Sequence, residues 1–152
     1  MKNLWAAVGI AVGAFCLLGL ILYGLALNAG TKVSQDARAY VKQTAPVFLA
    51  SDKGDEFLKV AAPQLKANTP QADANKMFGL VRKQLGKFQG LQKVVLGATR
   101  LGPLGGGKEG VFVSFTIEAD YDKGPATFDA VVVRDGDKWQ YAKLNLTTDL
   151  RD

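Results

Sequence analysis

The chain changes its hydrophobic periodicity at Gly90, and this change constrains the fold more than any other feature of the sequence. Before Gly90, apolar residues recur at the spacing of amphipathic helices; after it, apolar and polar residues alternate as in half-buried strands. Helices followed by hairpin-connected strands are typical of an α+β domain. The alternation is clearest in VFVSFTIEADY, where one face consists of Val111, Val113, Phe115, Ile117, Ala119 and Tyr121.

Three helices are predicted before Gly90. The first begins with Ser34 as its N-cap, since a serine hydroxyl can accept a hydrogen bond from the first free backbone N–H groups. The second, DEFLKVAAPQLKA, is short and is broken by Pro63. The third follows Thr69 and Pro70, a cap residue and a proline at the first helical position.

Four strands are predicted after Gly90, and we expect the helices to cover one face of a curved antiparallel sheet. Asp135-Gly136-Asp137 marks a tight hairpin before the last strand. The predicted strands are Leu91–Leu101, VFVSFTIEADY, PATFDAVVVR and KWQYAKLNLTT.

The N-terminal run Leu4–Leu27 contains no charged residue. As a helix rising about 1.5 Å per residue it would reach about 36 Å, enough for a hydrocarbon core of about 30 Å. This predicts a single transmembrane signal anchor over residues 1–30, with residues 31–152 as one extracytoplasmic domain at a bacterial inner membrane. The alternative is a cleaved signal peptide ending near Gly24-Leu25-Ala26. Basic residues flank both ends of the run, so they do not decide its orientation.

Gly9 and Gly13 are separated by one helical turn within this apolar run. Small residues at that spacing let two membrane helices approach closely, which predicts a helix-mediated homodimer or another membrane partner. The alternative is a monomeric anchor, because glycine is common in membrane helices.

The formal net charge is +5, with basic residues in excess over residues 31–100 and acidic residues in excess over residues 101–152. The chain contains no run of more than two consecutive lysines or arginines, and the basic residues are spaced as on solvated helix faces. We therefore expect no nucleic-acid partner, while a lipid bilayer surface is compatible with the basic half.

Gly102–Lys108 reads GPLGGGK and matches the start of a nucleotide-binding P-loop. A P-loop needs a Ser or Thr after its lysine and a helix whose N-terminus faces the phosphates. Here Glu109 follows the lysine and a strand pattern follows Glu109. The segment is therefore interpreted as a hairpin loop.

Asp120–Gly124, DYDKG, resembles the start of a calcium loop. An EF-hand requires glycine at its sixth position and glutamate at its twelfth, where this chain has Pro125 and Val131. A β-turn explains the composition better, and no metal or other cofactor is expected.

The chain contains no histidine. This excludes Ser-His-Asp and Cys-His nucleophilic sites and removes the commonest zinc ligand. Glu56, Glu109 and Glu118 fall in unrelated elements, so no acid–base pair is evident and we do not expect an enzyme.

Aromatic residues in the strands are candidates for lining a pocket between the sheet and the helices. The alternative is that they only fill the core, as aromatic residues in strands commonly do. The candidate pocket residues are Phe115, Tyr121, Phe128, Trp139 and Tyr141.

The motif DGDKWQYAKLNL, together with the helix-then-strand order over residues 34–148, resembles the nuclear transport factor 2-like (cystatin-like) superfamily of cone-shaped α+β domains. The chain looks most similar to small secreted or membrane-anchored bacterial members of unknown function. It is also similar in layout to cytochrome oxidase assembly factors and to inner-membrane components of type IV secretion, which implies a scaffold or assembly role. Enzymes of the superfamily place Asp, His or Tyr in the cone, and a chain without histidine does not match them.

The sequence thus predicts a non-catalytic, membrane-anchored interaction or assembly module with a membrane or periplasmic protein partner. The alternative is a binding domain for a small apolar or amphipathic, lipid-like ligand in the cone. A filled core with an exposed apolar face of the sheet would favour the first function, and an enclosed aromatic pocket would favour the second.

Overall fold

The computed structural model describes residues 30–148, of which residues 30–35 belong to one compact unit and residues 36–148 to a second. In the first unit the described residues, 30–35, are helical. Ser34 Oγ donates to the Gly30 carbonyl oxygen at 3.0 Å, so Ser34 lies inside a helix. The prediction that Ser34 is an N-cap was wrong, because the chain is already helical at Gly30, four residues earlier.

The second unit begins with four helices. The first, α1, comprises residues 36–49. The predicted second helix is divided, because Pro63 cannot continue a helix and forces the preceding Ala62 into extended geometry. The other helices are α2 Asp55–Val60, α3 Pro63–Asn68 and α4 Gln71–Leu85.

The fold class predicted from the sequence needs two corrections. The α+β class with a four-stranded antiparallel sheet is confirmed, but the sheet follows four helices rather than three. Within residues 30–148 no helix is both long enough and apolar enough to cross a membrane. The transmembrane helix is therefore not part of the described fold, and the predicted span, Leu4–Leu27, lies outside the described residues, as do Gly9 and Gly13.

The sheet is an antiparallel meander in which each strand pairs with its sequence neighbours, in the order β1-β2-β3-β4. Two-residue turns join the strands, and the predicted turn around Gly136 is confirmed. The first strand is longer at both ends than predicted, because the glycine-rich segment pairs with β2 as far as Gly105↔Lys108. The strands are β1 Phe88–Gly105, β2 Lys108–Tyr121, β3 Gly124–Asp135 and β4 Lys138–Leu146.

Three of the helices, α1, α2 and α4, pack on one face of the sheet. The alternation in β2 and β3 sets which strand side chains enter this core. Val113, Phe115 and Ile117 of β2 are at most 2% exposed, while the residues between them are half-buried. Helices α1, α2 and α4 contribute Phe48, Phe57 and Phe78 to the same cluster, as part of one contiguous core.

The β4 edge of the sheet is covered by the segment between α2 and α3. Ala61 forms a parallel bridge with Tyr141, and the Ala62 N–H donates to the Tyr141 carbonyl oxygen at 2.7 Å. A bulge at Ala142 follows, since Val131 pairs with Lys143 while the next residue of β3 pairs with Tyr141. The β1 edge has no such strand partner among the described residues.

Candidate functional site

The five aromatic residues predicted to line a pocket are placed mainly in the core. Four of them are at most 6% exposed and belong to the main hydrophobic cluster. The fifth, Trp139, is half-buried at the edge of that cluster and lies 5.6 Å below the Arg134 guanidinium. The four buried residues are Phe115, Tyr121, Phe128 and Tyr141.

The space between sheet and helices is filled by aromatic rings from the helices. Around Tyr141, the ring centroids of Phe48, Phe57 and Tyr40 lie at 5.1, 5.9 and 5.7 Å. These are ordinary distances for aromatic pairs in a packed core. None of the described pockets is lined by any of the five predicted residues.

The buried tyrosine hydroxyls are used for hydrogen bonds within the fold. Thr44 Oγ1 donates to the Tyr40 carbonyl oxygen at 2.8 Å, so at 2.9 Å it accepts the hydroxyl of Tyr141. Tyr121 donates to the Leu49 carbonyl oxygen at 3.3 Å. Burial raises the pKa of Tyr121 to about 12 and that of Tyr141 further above its ordinary value. Both phenols therefore stay protonated at neutral pH and connect α1 to the sheet.

The DYDKG segment forms the β2–β3 turn, in which Asp122 has a structural role. Its carboxylate accepts from the Lys87 N–H at 3.0 Å and from the side-chain amide of Gln89. The Asp122 N–H in turn donates to the Lys87 carbonyl oxygen. This turn is therefore hydrogen-bonded to the α4–β1 connection. Among residues 30–148 no cluster of acidic, cysteine or histidine side chains is arranged to hold a metal ion.

The GPLGGGK segment lies mostly in β1, and its only turn residues are Gly106 and Gly107. Lys108 then begins β2 instead of a helix. The backbone here pairs across a hairpin, so its N–H groups do not converge on one point as phosphate binding requires. The interpretation as a hairpin loop was right about the hairpin, but the loop is only two residues long.

A groove of about 540 Å³ lies between α1 and the first half of β1. Phe88, Leu91 and Val94 are its apolar floor on the inner face of β1, and Pro46 contributes from α1. This groove opens at the sheet edge that has no further strand among the described residues. We call it the α1–β1 groove; its lining residues are Lys42, Pro46, Phe88, Gly90, Leu91, Gln92, Lys93 and Val94.

The rim of the α1–β1 groove is basic. Lys42 and Lys93 line the groove and are both exposed. Arg38 is also exposed and precedes Lys42 by four residues, which places the two cations on the same side of α1. None of the residues that line the groove is acidic, and Glu118 stands opposite Lys93 in the β1–β2 register. This site was not predicted from the sequence, although the excess of basic residues over residues 31–100 was a signal of it.

No family model, no curated protein and no solved structure matches this chain. The resemblance to the nuclear transport factor 2-like superfamily therefore stays a prediction.

Proposed function

We propose that this protein is a non-catalytic interaction module that binds a partner protein through the α1–β1 groove. The observation that carries the proposal is the combination of an apolar floor and a basic rim at an open sheet edge. The partner segment is a short stretch of polypeptide with apolar side chains flanked by Asp or Glu.

The apolar floor supplies the energy for such an interaction. Phe88 and Leu91 are half-buried, and each is in contact with the core while part of its side chain faces the groove. Covering apolar surface contributes about 25 cal/mol per Å² removed from water. The partner's apolar side chains would take up that surface, while the lysines of the rim select acidic neighbours and increase the rate of encounter.

The groove binds side chains better than it extends the sheet. The β1–β2 register is interrupted between Phe88 and Gly90 and again between Leu91 and Lys93. Bulges twist an edge strand and interrupt its row of free backbone groups, which disfavours addition of a further strand. Side-chain contacts and charge therefore carry the recognition.

The filled core argues against the alternative of a ligand in the cone. Phe48, Phe57 and Phe78 occupy the volume that a lipid-like molecule would need. Membrane attachment and an extracytoplasmic position of the domain stay predictions from residues outside those described.

Photo-crosslinking in cells tests the proposal. The full chain would carry p-benzoylphenylalanine in place of exposed Gln92 in the groove, or of exposed Ala72 on α4 as a position control. We expect one discrete protein adduct from position 92 and not from 72, with the crosslinked peptide of the partner containing both apolar and acidic residues.

Charge reversal distinguishes binding in the groove from unspecific contact. Lys42→Glu combined with Lys93→Glu should reduce the position-92 adduct about tenfold or more, because like charges then face the acidic segment. The matched control, Lys66→Glu with Lys76→Glu, reverses two exposed lysines outside the groove and should leave the adduct unchanged. Equal loss in both double variants, or a crosslinked segment without acidic residues, would rule the proposal out.

A further inference from the structure

A second cleft lies on the other face of the sheet, away from the aromatic core. Phe112 and Val133 are opposite each other in the β2–β3 register and alternate with the inward-facing Val113 and Val132. They therefore point to the outer face. Even so, Val133 is only 3% exposed, so a further part of the chain covers this end of the outer face.

The hairpin end of β1 forms one wall of this cleft. Leu104 packs directly over Gly110, where an added Cβ would come within 2.7 Å of a Leu104 methyl carbon. A side chain at position 110 would therefore displace the end of the Leu104 side chain, and glycine lets Leu104 lie there. The side chain of Leu104 thereby becomes part of the cleft together with Pro103.

Helix α3 forms the opposite wall, and hydrogen bonds tie both walls to the sheet. Gln64 Nε2 donates to the Leu104 carbonyl oxygen at 2.7 Å, which connects α3 to the hairpin. The Ala62 N–H donates to the Tyr141 carbonyl oxygen at 2.7 Å, which connects the start of α3 to β4. A cleft held at both walls is pre-formed, so a ligand would not have to order it on binding.

The interior of the cleft is apolar and has the size of a small-molecule site. Its volume is about 590 Å³, within the range of about 300–1,000 Å³ that is usual for ligand pockets. Gln64 contributes the only side chain in its lining that carries hydrogen-bonding groups. The lining residues are Ala62, Gln64, Leu65, Pro103, Leu104, Gly105, Phe112, Val133 and Ala142.

The mouth of the cleft is polar and electrically balanced. An adjoining space of about 310 Å³ shares Ala62, Leu104 and Val133 with the interior and adds Lys108 and Asp135. The neutral side chains of Gln64 and Gln140 complete its polar lining. One cation and one anion cancel, so a charged head would gain attraction from one and repulsion from the other. An uncharged head with donors and acceptors can use all four groups.

From this arrangement we infer that the cleft between α3 and the β1–β2 hairpin, together with its mouth, binds a small amphipathic molecule. The molecule has an apolar body for the interior and an uncharged hydrogen-bonding head, such as an amide, for the mouth. This site differs from the α1–β1 groove in position, since the two share no lining residue.

Photoaffinity labelling of the full chain tests this inference. The probe is a ten-carbon primary amide with a diazirine in its chain, compared with the carboxylate and the amine of the same length. The protein would be kept in a polymeric amphiphile, and the labelled residues mapped by tandem mass spectrometry. We expect the amide to label Leu104, Phe112, Val133 or Ala142, and excess decanamide to suppress that labelling.

Filling the cleft provides the first variant. Ala142→Phe places a ring in the interior and should reduce labelling there about tenfold, because the ring and the probe compete for one apolar volume. The matched control, Ala72→Phe on the exposed surface of α4, should label as the unchanged chain does. Labelling outside the cleft, or labelling insensitive to Ala142→Phe in a folded protein, would overturn the inference.

Changing the mouth provides a second variant that does not depend on core packing. Asp135 is exposed, so Asp135→Asn should fold normally while leaving Lys108 as the only charge that lines the mouth. The ratio of labelling by the carboxylate probe to labelling by the amide probe should then rise about fivefold, as expected for one added charge-assisted contact. Equal labelling by all three head groups, before and after the change, would contradict the assignment of the mouth.

Discussion

Gly54 occupies a position where the packing of α4 leaves no room for a side chain. An added Cβ would overlap the Ala74 Cβ and come within 2.9 Å of the Ala74 carbonyl carbon. The Gly54 N–H also donates to Asn75 Oδ1 at 2.7 Å, which fixes the distance between this loop and α4. Glycine is therefore required here for close approach and not for an unusual backbone angle.

Two glycine-to-alanine changes, one in this loop and one in α4, should change the free energy of unfolding in opposite directions. Gly54→Ala should lower the free energy of unfolding by about 1–3 kcal/mol through overpacking. Gly79→Ala, inside α4 with only Asp52 at 3.9 Å, should raise it by up to about 1 kcal/mol, because alanine is the better helix former. Urea unfolding of both variants measures the difference. A neutral Gly54→Ala would show that the loop can move away from α4.

The buried tyrosines predict a loss of stability at alkaline pH. The pKa of Tyr121 is about 12 in the folded protein because of burial, against about 10 in the unfolded chain. Below pH 10 Tyr121 is protonated in both the folded and the unfolded state, and its contribution to stability is fully present. Between about pH 10 and 12 the unfolded state releases the proton first, so stability falls as pH rises. The urea midpoint should decrease across this window, and less steeply in Tyr121→Phe than in the unchanged chain. Parallel curves would contradict this assignment.

At the scale of elements, the β1–β2 hairpin depends on its two central glycines. Gly106 and Gly107 have φ values of +60° and +77°. Positive φ at both central residues is the geometry of a type I′ turn, whose twist matches that of the flanking strands. The same hairpin carries Leu104 and so shapes one wall of the cleft on the outer face.

Substitutions in this turn should separate tolerated from strained residues. Gly106→Asn creates the Asn-Gly pair that type I′ turns favour, and should change the free energy of unfolding by less than about 0.5 kcal/mol. Gly107→Val places a β-branched residue at positive φ and should cost about 1–2 kcal/mol. Thermal unfolding by circular dichroism gives both values. A Gly107→Val protein as stable as Gly106→Asn would show that this turn can adopt another geometry.

At the scale of the whole described domain, one aromatic cluster joins the helices to the sheet. Phe48 of α1 has ring centroids of Phe57, Phe78 and Tyr141 at 5.2, 6.1 and 5.1 Å. Four separate elements thus meet at one side chain that is 1% exposed. Loss of this ring would remove contacts from all of them together.

Phe48 and its neighbour Val47 form a matched pair of core and surface. Phe48→Ala should lower the free energy of unfolding by about 3–5 kcal/mol, the usual cost of emptying an aromatic site in a core. Val47 is 57% exposed, and Val47→Ala should change the free energy of unfolding by less than about 0.5 kcal/mol. Chemical denaturation of the two variants tests this. Similar values would mean that the cluster does not hold the domain together.

Much of this architecture was predictable because it depends on local patterns. Alternation in β2 correctly grouped alternate residues from Val113 to Tyr121 on one face, which the structure shows to be the inner face, and Pro63 marked a real break. The limits of β1 were missed, because Gly102 and Pro103 read as a loop, while pairing with β2 extends the strand through them. Such pairing depends on the neighbouring strand, which the residue pattern within β1 does not show.

The candidate sites were less predictable for the same reason. Strand periodicity places Phe115 and Tyr121 on one face, but it does not say whether helical side chains fill the space beneath them. Phe48, Phe57 and Phe78 do fill it.

The sequence by itself determined the order of helices and strands, the hairpin connections and which residues of β2 share a face. These follow from side-chain periodicity and turn chemistry within a few neighbouring residues. The tertiary structure alone decided that the aromatic residues form a core, that α1 and β1 leave a groove with a basic rim, and that α3 and Leu104 enclose an apolar cleft. Grooves and clefts arise where segments distant in the chain come together without filling the space between them, and no local pattern encodes that space.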